Sequence, residues 1–267
     1  IGRKALDDPQ FPQRTTVQMR RFLCMVHLME GNLHSIVEVG SQGLALAQRQ
    51  RLHNTHIHLN YLIGAAHYLR NELESAELYL RDLVDAGALA TPMHQAYGLC
   101  ALVRILDVSG QAAEAERVLT ESLTFFQEID SGLGQTILRA FQVERAMKDD
   151  DLETAKTIAE EIDFASMFMA WQHYTPRTTA VRLLLSEGSE ESLTEALAQV
   201  KQLVAYFYRV NRKQHLMFQI YQIVFRKRLK PQFMLKKKLI NQDSSNPFEE
   251  ITTVKPIVQK LRPKSQR

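Results

Sequence analysis

The sequence predicts an all-α fold, a right-handed α-solenoid of antiparallel helical hairpins. Three observations predict it. Turn-forming residues Gly31, Asn71, Gly110, Asp150 and Gly188 recur 40, 39, 40 and 38 residues apart, and a fixed interval in this range marks a stacked repeat. Each turn precedes a short signature: Leu33-x-x-Ile36, Leu73-x-x-Ala76, Ala112-x-x-Ala115, Leu152-x-x-Ala155 and, shifted by three, Leu193-x-x-Ala196. The 267 residues include only 11 Gly and 8 Pro, and Ala, Leu, Glu, Gln and Arg, all good helix formers, fill most segments.

Residues 1–15, with Pro9 and Pro12, read as a leading linker, and 16–240 as the repeat domain. Repeat one has a helix near 16–30, a turn at Gly31-Asn32 and a helix near 33–50. Repeat two has a helix near 55–70, a turn at Asn71-Glu72 and a helix near 73–86 closed by Gly87. Its first helix carries Leu62, Ala65, Ala66 and Leu69 on one stripe, and its second carries Ala76, Leu80 and Leu83. Repeat three places Leu99, Leu102, Val103 and Leu106 before Gly110, and Ala115, Val118, Leu119 and Leu123 after it. Glycine suits that turn because the residue past a helix end often needs a positive φ. Alanine early in the second helix lets two antiparallel helices approach closely.

Repeat four runs from 133 to 163 around Lys148-Asp149-Asp150-Asp151, whose acids match the N-terminal dipole of the next helix. Pro176 opens repeat five as a first-turn proline. A turn at Glu187-Gly188 and a long helix over 191–209 follow. A sixth first helix is expected over 212–228, with Leu216, Ile220, Ile223 and Val224 apolar. Residues 241–267 read as a basic, weakly ordered tail.

The net charge of +3 hides an asymmetry. Residues 209–267 hold 15 basic and 3 acidic residues (+12), and 1–208 hold 18 basic and 27 acidic (−9). Arg226, Lys227, Arg228 and Lys230 with Lys236, Lys237 and Lys238 form a basic cluster. It reads either as a solvated terminus or as a contact for nucleic acid or an acidic partner, where counterion release favours phosphates.

Phe164, Phe168, Trp171 and Tyr174 follow the second helix of repeat four at three- and four-residue spacing. They serve either the core or the wall of a ligand pocket. Adjacent aromatics, Phe125-Phe126 and Tyr206-Phe207-Tyr208, cannot share one stripe, so some sit on another face. Tyr206 and Tyr208 join the candidate groove set. His53-x-x-His56-x-His58 offers imidazoles, but no third strong metal ligand is evident, so these read as surface or interhelical histidines. Cys24 and Cys100 fall in apolar stretches without a CxxC pair and read as buried free thiols of a cytoplasmic protein. HExxH, GxSxG and GxxxxGK[ST] patterns do not occur, so no enzyme activity, metal or cofactor is expected. No segment approaches the length of a membrane span. The chain starts at Ile1 rather than Met and reads as a piece of something longer.

Hairpins with Ala after the turn resemble tetratricopeptide repeats, with a longer period. The stretch Pro176-Arg177-Thr178-Thr179-Ala180-Val181-Arg182-Leu183-Leu184-Leu185-Ser186-Glu187-Gly188 is similar to the proline-led helix of the helical sensor region in MalT-like, LuxR-family ATP-dependent transcription regulators. Residues 195–228 resemble that family's next two helices. The resemblance implies a non-catalytic, cytoplasmic sensor module that binds a small effector or a protein partner in its concave groove, with self-association possible. The alternative is a tetratricopeptide-type adaptor that binds a peptide and has no role in transcription.

Overall fold

All five turn residues read from the sequence adopt the left-handed backbone conformation that ends a helix: Gly31 at φ 75°, Asn71 at 62°, Gly110 at 78°, Asp150 at 60° and Gly188 at 71°. At four of them the next amide closes a longer bond back onto the helix, as from Gln111 N to Leu106 O at 2.9 Å and from Glu72 N to His67 O at 3.0 Å. These bonds satisfy carbonyls that the helix end leaves open. The structure is a computed structural model, and it describes residues 12–164 and 174–209, with side chains to 206.

Ten helices and no strand occur among the described residues. They are α1 (Gln13–Glu30), α2 (Leu33–Arg49), α3 (His53–Leu69), α4 (Leu73–Asp85), α5 (Pro92–Val108), α6 (Ala112–Glu128), α7 (Gly132–Lys148), α8 (Leu152–Glu160), α9 (Pro176–Glu187) and α10 (Glu190–Arg209). A 3₁₀ turn, Gly87–Leu89, joins α4 to α5. The helices expected within the described residues are present, with ends shifted by a few residues. The first begins at Gln13, so the last three residues assigned to the linker are helical. The helix after Asp151 stops at Glu160, short of 163. Asp151 starts α8 as expected of an acid there, its Oδ1 accepting from Thr154 N at 3.0 Å. The sixth helix, the basic cluster and the tail lie outside the described residues.

Each helix packs on its chain neighbour within a hairpin, and each odd-numbered helix also packs on the next odd one, from α1 through α9. This second contact explains which residues are buried. An even helix such as α4 buries one stripe, Ala76, Leu80 and Leu83. An odd helix such as α3 has neighbours on several sides and buries Leu59, Tyr61, Leu62, Ile63, Ala65 and Ala66 together. The single stripe read from the sequence is thus only part of the buried surface of α3.

The last residue of each signature, Ile36, Ala76, Ala115, Ala155 and Ala196 in turn, is buried. Elsewhere backbones approach closely. A Cβ on Gly98 in α5 would lie 2.1 Å from Leu83 Cδ1 in α4, and one on Gly134 in α7 would lie 2.5 Å from Phe126 in α6. One core runs from α1 through α8 and takes in Tyr174 and Leu183, while Val181, Ala196, Leu203 and Val204 form a second between α9 and α10.

Candidate functional site

The odd helices carry polar side chains into the joints between them, and these pair with residues about one repeat away. Gln18 of α1 donates from Nε2 to Thr55 Oγ1 of α3 at 2.8 Å. Arg21 Nη1 donates to His58 Nδ1 at 2.9 Å. Because a guanidinium only donates, His58 Nδ1 must be the acceptor, which leaves the ring proton on Nε2. That Nε2 is buried with no hydrogen-bond partner among the described residues. The His94 ring of α5 lies against His58 with centroids 3.9 Å apart, and Tyr61 flanks it at 5.2 Å.

Three helices thus contribute Arg21, His58 and His94 to one basic cluster. Burial, the His94 ring and the Arg21 guanidinium push His58 down to about 3. Burial and Arg21 push His94 down to about 4. Both imidazoles are therefore neutral at pH 7.

Farther along the same row sits a charged ladder. Arg104 of α5, Glu144 of α7 and Arg182 of α9 occupy the same place, six residues before the turn, in three successive hairpins. Glu144 is only 5% exposed. It accepts from Arg104 Nη2 on one side and from Arg182 Nη1, at 2.6 Å, on the other. The Arg104 guanidinium also lies over the rings of Phe141 and Tyr174, 4.8 and 5.2 Å from their centroids. Arg145 of α7 adds a bond to Asp107 Oδ1 of α5 at 3.2 Å and another to Glu116 at 2.6 Å. The partner numbers rise together, 18 with 55 and 21 with 58, then 104 with 144 and 107 with 145, so successive odd helices run parallel. The result is a continuous wall with a basic cluster at one end and an acid held between two arginines at the other.

Among the aromatic residues singled out in the sequence, Tyr174 is fully buried beside the ladder. Its hydroxyl bonds Thr179 Oγ1 at 2.8 Å, and its ring meets Phe141 and Tyr97 edge-on. It is a core residue behind the wall, not part of an open groove. Phe164 packs partly buried against the main core, and Tyr206 packs against the α9–α10 cluster. Tyr208 lies on α10, with its side chain outside the described part. Phe168, Trp171 and the basic set Arg226, Lys227, Arg228, Lys230, Lys236, Lys237 and Lys238 also lie outside it. Of the adjacent pair, Phe126 is in the core and Phe125 packs partly buried against it. The three histidines of the 53–58 run part ways: His58 joins the wall, His56 faces Asp82 at 4.0 Å and His53 is exposed. No group of three or more metal-ligand side chains is gathered among the described residues. No described helix is long and apolar enough to cross a membrane. No protein-family model, curated protein or solved structure matches the chain.

Sequence reading missed the wall. Its signal was the recurrence of Arg104, Glu144 and Arg182 at one place in the period, visible only when charged positions are aligned as the apolar ones were.

Proposed function

We propose that the chain is a solenoid of stacked helical hairpins that works as a non-catalytic binding module, its odd helices held side by side by the wall and its concave groove serving as the recognition surface. The observation that carries this reading is the set of side-chain pairs one repeat apart, from Gln18–Thr55 to Glu144–Arg182, which tie successive hairpins side by side. Repeat arrays of this kind use their extended face for recognition. The likeness of residues 176–188 to MalT-like regulators supports a sensor role within such a protein. In that role a small effector or a partner protein settles in the concave groove and favours one of two shapes of the array.

A thermal-shift screen against sugars, metabolites and short peptides tests the binding role, because a ligand that binds only the folded state raises its melting temperature. A small-metabolite hit supports the sensor, and a peptide hit alone supports a tetratricopeptide-type adaptor. Small-angle scattering of the 12–209 fragment tests the shape. A compact globule of this length has a radius of gyration of about 16 Å. A measured value near that figure, with a symmetric distance distribution, would refute the solenoid.

A further inference from the structure

We infer that the outer face of α1 is a docking surface for a separate amphipathic helix, one whose apolar stripe is flanked by carboxylates. Phe22 lies nine residues before its turn, and the residues in that place in the next four odd helices are Leu62, Ala101, Phe141 and Thr179. All four are buried, whereas Phe22 is 55% exposed. Val26 lies five before the turn. Its counterparts Ala66, Ile105 and Leu183 are buried, whereas Val26 is 40% exposed.

The direction of this face is set by α7. There the counterpart of Phe22 is Phe141, which packs against Arg104 of the preceding odd helix α5. The counterpart of Val26 is Arg145, which bonds Asp107 of α5. Phe22 and Val26 therefore point to where an odd helix sits at every later joint, and the face continues an interface the fold already repeats. An isolated exposed apolar residue needs no explanation. Two of them one turn apart, in a place buried in nearly every other copy, do.

Charge specifies the occupant. Of the arginines of α1, Arg20 is buried and bonds Gln42 of α2, which leaves Arg14 and Arg21, and the helix's only acid is Glu30 in its last turn. The Arg21 guanidinium lies over the Phe22 ring at 4.4 Å and bonds His58, with no carboxylate partner among the described residues. At the later joints arginines reach acids of the preceding odd helix from the place of Val26, as Arg145 meets Asp107, and from the place just before it, as Arg182 meets Glu144. A helix seated on Phe22 and Val26, parallel to α1, would supply the missing carboxylate. The inference shares Arg21 with the wall but does not depend on what the concave groove binds.

The test uses two stapled helical peptides that share a leucine stripe, one flanked by glutamates and one by lysines, with binding followed by fluorescence anisotropy on the full chain. The glutamate peptide is expected to bind at least about tenfold tighter than the lysine peptide, in keeping with the worth of a well-placed charge pair. Phe22→Ser with Val26→Ser should abolish binding. Arg21→Gln should erase the preference between the peptides, and Leu78→Ser, exposed on α4, should change nothing. Circular dichroism establishes that each variant is folded. Failure of the wild type to bind either peptide, equal affinity for both, or binding that survives the double serine change would overturn the proposal. So would a wild-type dimer in ultracentrifugation that the serine change dissociates, because a second copy would then be the occupant. Binding seen only after removal of residues 1–11 would overturn it as well, by making the chain's own start the occupant.

Discussion

Acid should unfold this protein through two particular imidazoles. His58 and His94 stand at about 3 and about 4 in the folded chain, against about 6.5 for an unfolded histidine. The unfolded chain therefore binds protons over a pH range in which the folded chain cannot, so stability falls as pH drops below about 6.5. At pH 7 each histidine costs only about 0.2 kcal/mol. At pH 5 each costs about 2 kcal/mol by the linkage relation, about 4 kcal/mol for the pair. That is a large share of the roughly 5–15 kcal/mol that holds a domain together. Urea unfolding followed by circular dichroism at pH 7.5, 6 and 5 measures it. The reference is the double variant His58→Gln, His94→Gln, which keeps the chain's other seven histidines, so that only these two differ. The wild type should lose about 4 kcal/mol more than this reference between pH 7.5 and 5. Equal losses would refute the reasoning, as would folded-state resonances of His58 and His94 that titrate near 6.5.

Gly98→Ala should destabilise by roughly 1–3 kcal/mol, since Leu83 must move aside, while Gly132→Ala, with nothing near its Cβ, should not; thermal melts distinguish them. Cys24 is pushed up to about 12 by burial, and burial also raises Cys100, so neither should react with an aromatic disulfide reagent until urea exposes two thiols per chain. Glu144→Gln leaves two guanidinium groups facing each other without their acid and should cost about 3–5 kcal/mol in urea unfolding. Replacing Arg104, Glu144 and Arg182 together by methionine or leucine should restore most of that loss, because the desolvation of three charges disappears with them.

The hairpins were legible because their instructions are local. Gly31, Asn71, Gly110, Asp150 and Gly188 announce a left-handed turn within a few residues of the helix they end, and Ala76, Ala115, Ala155 and Ala196 follow at a short distance. The wall was not legible because its partners lie 36 to 40 residues apart and are polar, so a search for apolar stripes passes over them. The slant hid them further. Arg21, His58 and His94 step by 37 and 36 residues, short of the turn interval, and drift out of column when the repeats are aligned. Tyr174 stayed open between core and pocket wall for the opposite reason. An aromatic at helical spacing beside a turn looks the same whether it lines a groove or backs a buried ion pair, and only its burial against Phe141 and Tyr97 decides between them.

The ladder also bears on how the hairpins find their register. Apolar ridges from alanine, leucine and valine are nearly interchangeable from one turn to the next, so joints built from them alone would differ little in energy after a shift along the helix axis. A shift of one turn would carry Glu144 away from both Arg104 and Arg182 and leave three charges buried without partners, a penalty of several kcal/mol. The matched arrangement gains little in net stability, because desolvation offsets most of the attraction. Its value lies in making the mismatched arrangements expensive, and the same holds, more weakly, for Arg145 with Asp107. The basic cluster lies at the other end. Register there rests on Gln18 with Thr55, the stacked imidazoles and Arg21 with His58, so the end of the wall nearest α1 is the part most open to adjustment by whatever it meets.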